Sequence, residues 1–419
     1  MNNRMLRLFL IGVVSNLLFV SWCSAASFYV RKGANGANNG ADWTNAWSEM
    51  NSVKYSLISP GDTIYIAAGT YGPLNIIKSG TPGQPIIVKR ATNAEHGPAT
   101  GWISSYDGRV IIDGAGSLAA IGIGEGGSFT GQNHITIDGV TKYGMWLRNA
   151  MYGVRADRGS SDDITLRYLE MGDTGSYKMG EDGIQGRGDN LLVEYCYIHD
   201  NDNISTHGDG VQWFAGNNLT FRYNIFKNNG QMFMLSETAF GSNDYVNNLN
   251  VYYNVFYNRG GEHYNGISKK LCPQAGLYWR VYNNTFDLDA PTAAGSWQDE
   301  IFSGAGSCTQ MEFINNAVIN SRAYSLNSVT HRFNGYDNSG QYAVIDVPAE
   351  TSRVVATDLG FVNINAADYH LTPSSPLIGK GTNVNLTQDF DGNPVPATPS
   401  IGAFELGALF APTNLRVIP

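Results

Sequence analysis

The chain has 419 residues, of which 15% are charged and 49 are glycine, with a formal net charge of −9. That balance excludes the basic surface of a nucleic-acid-binding protein. Long helical periodicities are absent, whereas short apolar alternations bounded by Gly and Asn recur, which predicts an all-β chain with many turns.

In chain order, the first element is a processing signal over residues 1–26. Arg4 and Arg7 precede the apolar run 8–20, and Cys23-Ser24-Ala25 or Ser24-Ala25-Ala26 supplies small residues for cleavage. The run is short for a membrane span of roughly 20 residues. Trp22 fits poorly before a lipid-modified Cys23. The mature chain is therefore expected in the periplasm or outside the cell, with no stable membrane span. Export permits disulfides. Of the three remaining cysteines, Cys272 and Cys308 lie in loop-like stretches and are the candidates for a pair. Cys196 follows an alternating strand and reads as a small buried hydrophobe.

Residues 45–56 form the best candidate for a short N-terminal capping helix. Beyond them the chain repeats itself. Six strand-like units begin at Ile164, Leu191, Leu219, Leu249, Trp279 and Met311, spaced 27, 28, 30, 30 and 32 residues apart, with a weaker copy at Ile135. Each alternates apolar and polar residues, so each is a half-buried strand too short to fold alone. Their sixth position holds Cys196, Asn224, Asn254, Asn284 and Asn316 in successive copies. Asparagine tolerates the left-handed backbone of a bend and can hydrogen-bond neighbouring main chain. Stacked coil on coil, these residues would form a ladder capped by Cys196. β-Propeller blades repeat at about 40–45 residues, longer than these intervals. The expected fold is all-β: a right-handed parallel β-helix with three short strands per coil, over residues 27–406, followed by a tail or linker at 407–419.

The opening and closing segments carry a resemblance. Phe28-Tyr-Val-Arg-Lys-Gly, Trp43-Thr-Asn-Ala-Trp47 and Pro60-Gly-Asp-Thr-Ile-Tyr-Ile-Ala-Ala-Gly-Thr-Tyr71 resemble the start of secreted right-handed parallel β-helix proteins, many of them polysaccharide lyases. Asp368-Tyr-His-Leu, Ser375-Pro, Asp389-Phe-Asp-Gly-Asn-Pro394 and Ile401-Gly-Ala-Phe-Glu405 resemble the close of the same group. One such fold hosts many chemistries, so the reaction has to be read from the site.

The site candidate starts from an echo. Glu181-Asp-Gly-Ile-Gln185 is followed 27 residues later by the Asp209-Gly-Val-Gln212 of THGDGVQW at 206–213, an interval equal to the pitch of the repeat. Residues one coil apart stand about 4.8 Å apart, so Asp182 and Asp209 are expected to stack. Counted back from the next strand start, Asp182 lies 9 residues before it, Asp209 10, Glu237 12, Lys270 and Lys269 9 and 10, and Glu300 11. The expected column is thus Asp182, Asp209 and Glu237, with the lysines beyond. Stacked carboxylates need a shared proton, a cation or a metal, and an exported oxygen-donor set suits calcium. In this arrangement Asp182, Asp209 and Glu237 hold Ca2+ and Lys270 or Lys269 is the general base of β-elimination on a uronic-acid polysaccharide. His207 is placed with the catalytic groups, and Gln185, Gln212, His263, Arg187 and Trp213 with substrate binding.

Gly266-Ile-Ser-Lys-Lys270 with Tyr282-Asn-Asn-Thr-Phe286 partly resembles the lysine-bearing coil of the chondroitinase B and alginate lyase family, and the match places Lys270 at the base position. The Leu-Arg-His-Gly-like strand of that family has no counterpart one coil later, where Arg280 and Arg187 are the substitutes. The calcium-dependent pectate lyase branch, a glycoside hydrolase or epimerase using Asp182 and Asp209, and a non-catalytic polysaccharide-binding or adhesion protein remain alternatives. Trp213, Phe214, Tyr257, Tyr264 and Trp297 are candidates for stacking on sugar rings. Nothing in the sequence requires more than a monomer.

Overall fold

The computed structural model describes residues 25–124, 130–157, 159–172, 181–201, 208–235, 245–258, 265–269, 278–288, 300–303, 310–323, 326, 329–340, 343–350 and 352–407; the side chains of 265–269, 300 and 303 are outside that description. The signal segment, apart from its last two residues, and Cys272 and Cys308 lie outside it as well. Among the described residues no helix is long and apolar enough to cross a membrane.

The chain winds as a parallel β-helix. Each full coil contributes one strand to each of three ladders. Among the described residues the first ladder contains eleven strands, running from Ser27–Val30 and Thr63–Ile66 through Ile164–Arg167, Leu192–Glu194, Gly216–Arg222, Val246–Tyr252, Trp279–Tyr282 and Met311–Ile314 to Thr330–Arg332. All its pairings are parallel, as in Leu219↔Leu249↔Trp279↔Met311. These are the strands expected from the repeat: those at Ile164, Trp279 and Met311 start where expected, and the other three start one to three residues away. The second ladder includes Leu169–Met171, Tyr197–His199, Ile225–Lys227, Val255–Tyr257, Thr285–Asp287 and Ala317–Ile319. The third includes Ile184–Gly186, Asp209–Trp213, Gln231–Leu235, Asn265–Lys269 and Glu300–Ser303. Inward residues of all three ladders, such as Ile198, Val211, Phe226, Phe233, Val251 and Phe286, form one continuous core.

At the bend between the first and second ladders stands the asparagine ladder. Asn224 Oδ1 accepts the Cys196 amide at 2.9 Å, Asn254 that of Asn224 at 3.0 Å, Asn284 that of Asn254 at 2.9 Å and Asn316 that of Asn284 at 2.9 Å. Asn334 extends the series, accepting from the Asn316 amide at 2.8 Å. Each of Asn224, Asn254, Asn284 and Asn316 also donates through Nδ2 to a carbonyl of the coil before. Cys196 is buried with a free thiol. The residue before each of these positions is left-handed, including Tyr195, Tyr223 and Tyr253 at φ of 54°, 58° and 53°, and Tyr168, before Leu169 at the same place one coil earlier, has φ 58°.

The short helix expected within 45–56 is a single 3-10 turn at Met50–Ser52, and Trp47 before it forms a parallel bridge with Val30. The lid is built from side chains instead: Trp47, Met50 and Ile58 are buried at the open end of the core. At the other end, the segment after Val354–Ala356 does not trail away. It folds back along the outer face of the second ladder, where Leu359, Tyr369, Leu377, Phe390, Ile401 and Phe404 pack on Tyr223, Ile225, Tyr253, Val255 and Ala317.

Candidate functional site: a buried acidic pair on the third ladder

The third ladder pairs Ile184 with Val211 and Gln185 with Gln212. The two Asp-Gly-aliphatic-Gln stretches are therefore the same position on adjacent coils. Asp182 Oδ1 accepts the Asp209 amide at 2.9 Å, and Asp182 Oδ2 accepts Gln185 Nε2 at 3.1 Å. Gln185 Nε2 also donates to Gln212 Oε1 at 2.6 Å, and Gln212 Nε2 reaches Met234 Sδ at 3.3 Å. Both aspartates are buried. The glycines after them permit this closeness: a Cβ on Gly183 would stand 2.6 Å from Ile198 Cγ2 and 2.7 Å from the Gly210 carbonyl.

Burial holds the Asp182 carboxyl well above the usual carboxylate range, and the Asp209 charge adds to it. Water no longer screens the two groups, so one proton or one cation between them relieves the repulsion. Beside them, the Tyr152 hydroxyl donates to Glu181. Arg155, the ladder partner of Gln185, lies over the Tyr152 ring at 5.0 Å and pairs with Asp157 at 2.8 Å. Tyr152, Arg155 and Glu181 were not among the sequence candidates. Glu181 adjoins Asp182 directly, and the echo was the signal that pointed to it.

Other expected residues fall elsewhere. Register continues the acidic column from Asp209 to Gln231, and pairs Asn265 with Glu300 further up. Glu237 does not follow Asp209: six residues separate it from Gln231, and its structure is outside the described residues. The cause is corner length. Two residues join Trp213 to Gly216, whereas ten join Leu235 to Val246, so counting back from the next strand overshoots. Lys269 pairs with Leu235 and so continues the Trp213 position, not that of Asp209. It stands four residues, roughly 13 Å, along the strand from the acidic column. Lys270, His207 and His263 lie outside the described residues.

Trp213 is corrected too. It points into the core, its Nε1 donates to the Gly188 carbonyl at 3.1 Å, and its ring fills the space a Cβ on Gly186 would need. It offers no face to a sugar. Phe214 is likewise buried, and Tyr257 packs against the returning C-terminal segment. Tyr264 and Trp297 lie outside the described residues. Arg187, just past the strand carrying Gln185, lines a groove of about 410 Å3 with Gly188, Asp189, Gly216 and Tyr245.

A second titratable cluster, not foreseen, sits on the second ladder. His199 is buried, with Nδ1 2.7 Å from Asp200 and Nε2 3.5 Å from Glu170. Burial disfavours the charged ring, but the two carboxylates outweigh it and raise its pKa. Arg109 pairs with the same Glu170 across the Trp146 ring.

No known family profile and no curated protein matches the chain. Among solved structures it is similar to the pectate lyase Pel9A, with a TM-score of 0.47 and 15% identity over 91% of this chain and 96% of that one. An alginate lyase from Paenibacillus sp. str. FPU-7 gives a TM-score of 0.47 and 14% identity over 80% and 98% of the two chains. A rhamnogalacturonan lyase gives 0.42 and 13% over 82% and 92%.

Proposed function

We propose that this chain is an exported polysaccharide lyase that cleaves a uronic-acid polymer by calcium-assisted β-elimination, centred on Asp182 and Asp209. The observation that carries the reading is the burial of two carboxylates on adjacent coils, amid glycines and amide side chains. Such a pair is costly to maintain without a counter-charge, and a cleavage site gives it a use.

The donor chemistry fits calcium. Carboxylate and amide oxygens, with no sulfur, are a hard ligand set. Among the described residues no three His, Cys, Asp or Glu groups converge on a metal position, so Asp182 and Asp209 would be joined by oxygens from elsewhere, with Glu237 as the candidate. When bound, calcium supplies positive charge that takes up the sugar carboxylate and acidifies the neighbouring C5 proton. The chain's own groups do the rest. Lys270 is the group proposed to remove the C5 proton; the electron pair forms the C4–C5 double bond; and the C4–O bond breaks, its oxygen leaving with a proton. His207 is the proposed donor of that proton. Gln185 and Gln212 hold the acidic pair in place through their shared hydrogen bonds.

One observation favours a second reading. A protonated Asp182 one coil from Asp209 also provides an acid and a base for glycoside hydrolysis, at a spacing near the 5–5.5 Å of retaining enzymes. Incubating the protein with alginate, polygalacturonate and chondroitin sulfate, with calcium or with EGTA, separates the two. Elimination gives ultraviolet-absorbing unsaturated ends that EGTA abolishes; hydrolysis gives reducing ends without that absorbance.

A further inference from the structure

The outer face of the first ladder carries a second feature. Its outward residues largely pair with one another: Arg167 with Asp138 at 2.8 Å, Arg222 with Glu194 at 2.6 Å, and the Tyr252 hydroxyl with Arg222 at 3.1 Å. Tyr278 differs. Its side chain is 48% exposed, at the start of strand Trp279–Tyr282. Two residues on, and so on the same face, Arg280 places its guanidinium 5.7 Å from the Tyr278 ring centre. Arg280 is itself anchored to Asn248 Oδ1 at 2.7 Å. Between them, Trp279 turns inward and fixes the backbone by donating to the Val246 carbonyl at 2.8 Å. The ring is thus an exposed aromatic surface held in place before any ligand arrives.

It borders a groove of about 370 Å3, lined also by Gln310, Glu312 and Thr330. One guanidinium and one carboxylate cancel in charge, and the amide and hydroxyl donate and accept equally. A pyranose ring matches this set: its C–H face stacks on an aromatic ring while its rim of hydroxyls needs mixed hydrogen-bonding partners.

We propose that the Tyr278 groove is a second carbohydrate-binding site, which stacks one sugar ring of a polysaccharide chain on a ladder different from the one that carries Asp182 and Asp209. It would keep a long polymer on the protein without taking part in bond cleavage.

The test is native-gel affinity electrophoresis in gels containing alginate, polygalacturonate, xylan or galactomannan. The wild type is expected to be retarded by at least one polymer. Tyr278→Ala should weaken that retardation about tenfold, and Tyr278→Trp should keep it. Because Tyr278 is exposed, the thermal midpoint should be the same in all three proteins, and any cleavage of short oligosaccharides should be unchanged. Retardation by none of the polymers, or equal retardation of Tyr278→Ala and wild type, overturns the proposal. Retardation that depends on Tyr278 in a protein that cuts nothing removes the lyase reading and leaves this site standing.

Discussion

Asp182 behaves as an acid whose folded-state pKa lies above its unfolded value. The linkage therefore runs opposite to that of a salt-bridged carboxylate: its contribution is favourable below about pH 4 and is lost as pH rises through the raised pKa. Asp182→Asn removes the repulsion and keeps the shape, so in EGTA at pH 8 its melting temperature should exceed that of wild type by a few degrees, while its activity in calcium should disappear. Calcium binding, measured by titration calorimetry, should release a proton and weaken as pH falls through the same pKa. Asp209→Ala should abolish it; unchanged affinity would remove Asp209 from the ligand set. The Asp182–Asp209 pair was legible in the sequence because its 27-residue offset is the coil pitch. Lys269 falls off the acidic column because its offset was counted across a corner of variable length. Trp213 was misread against its own strand: alternation from Val211 already sends Gln212 outward and Trp213 inward.

At the scale of the element, the bend between the first and second ladders governs stability. Its asparagines were visible in the sequence as one polar residue at a constant position in an otherwise apolar unit. The tyrosines before them were not. Left-handed backbone disfavours bulky residues, and nothing local marks Tyr168 or Tyr195 for it. Ring stacking between successive coils, at 5.0 and 4.9 Å from Tyr168 to Tyr195 to Tyr223, offsets the strain. Asn254→Ala leaves the buried donors of Asn224 without their acceptor and opens a void, so it should cost about 2–4 kcal/mol. Denaturant unfolding would show this as a lower midpoint. Asn217→Ala, on an exposed amide row, should cost under about 1 kcal/mol.

Across the whole molecule, the returning C-terminal segment ties distant coils together. Its fold-back was not legible, because the closing motif resembles a family without showing which face it covers. The segment is held by long-range contacts such as the Asn283 amide to the Ser400 carbonyl at 3.0 Å and the Tyr369 hydroxyl to Asp287 at 2.6 Å. His370 lies between Asp368 and Asp391 and against Phe404. Burial opposes its charge, but the two carboxylates push its pKa up to about 9. Its contribution to stability is complete below about pH 6.5 and fades as pH rises through about 9. The melting temperature should fall over that window in the wild type and less steeply in His370→Gln.

The most direct measurement is the ultraviolet absorbance of products released from uronate polysaccharides by wild type and Asp209→Ala, with calcium and with EGTA. The account predicts absorbance that grows only with wild type in calcium. Absorbance that survives in Asp209→Ala, or reducing ends that accumulate without any absorbance, would contradict it.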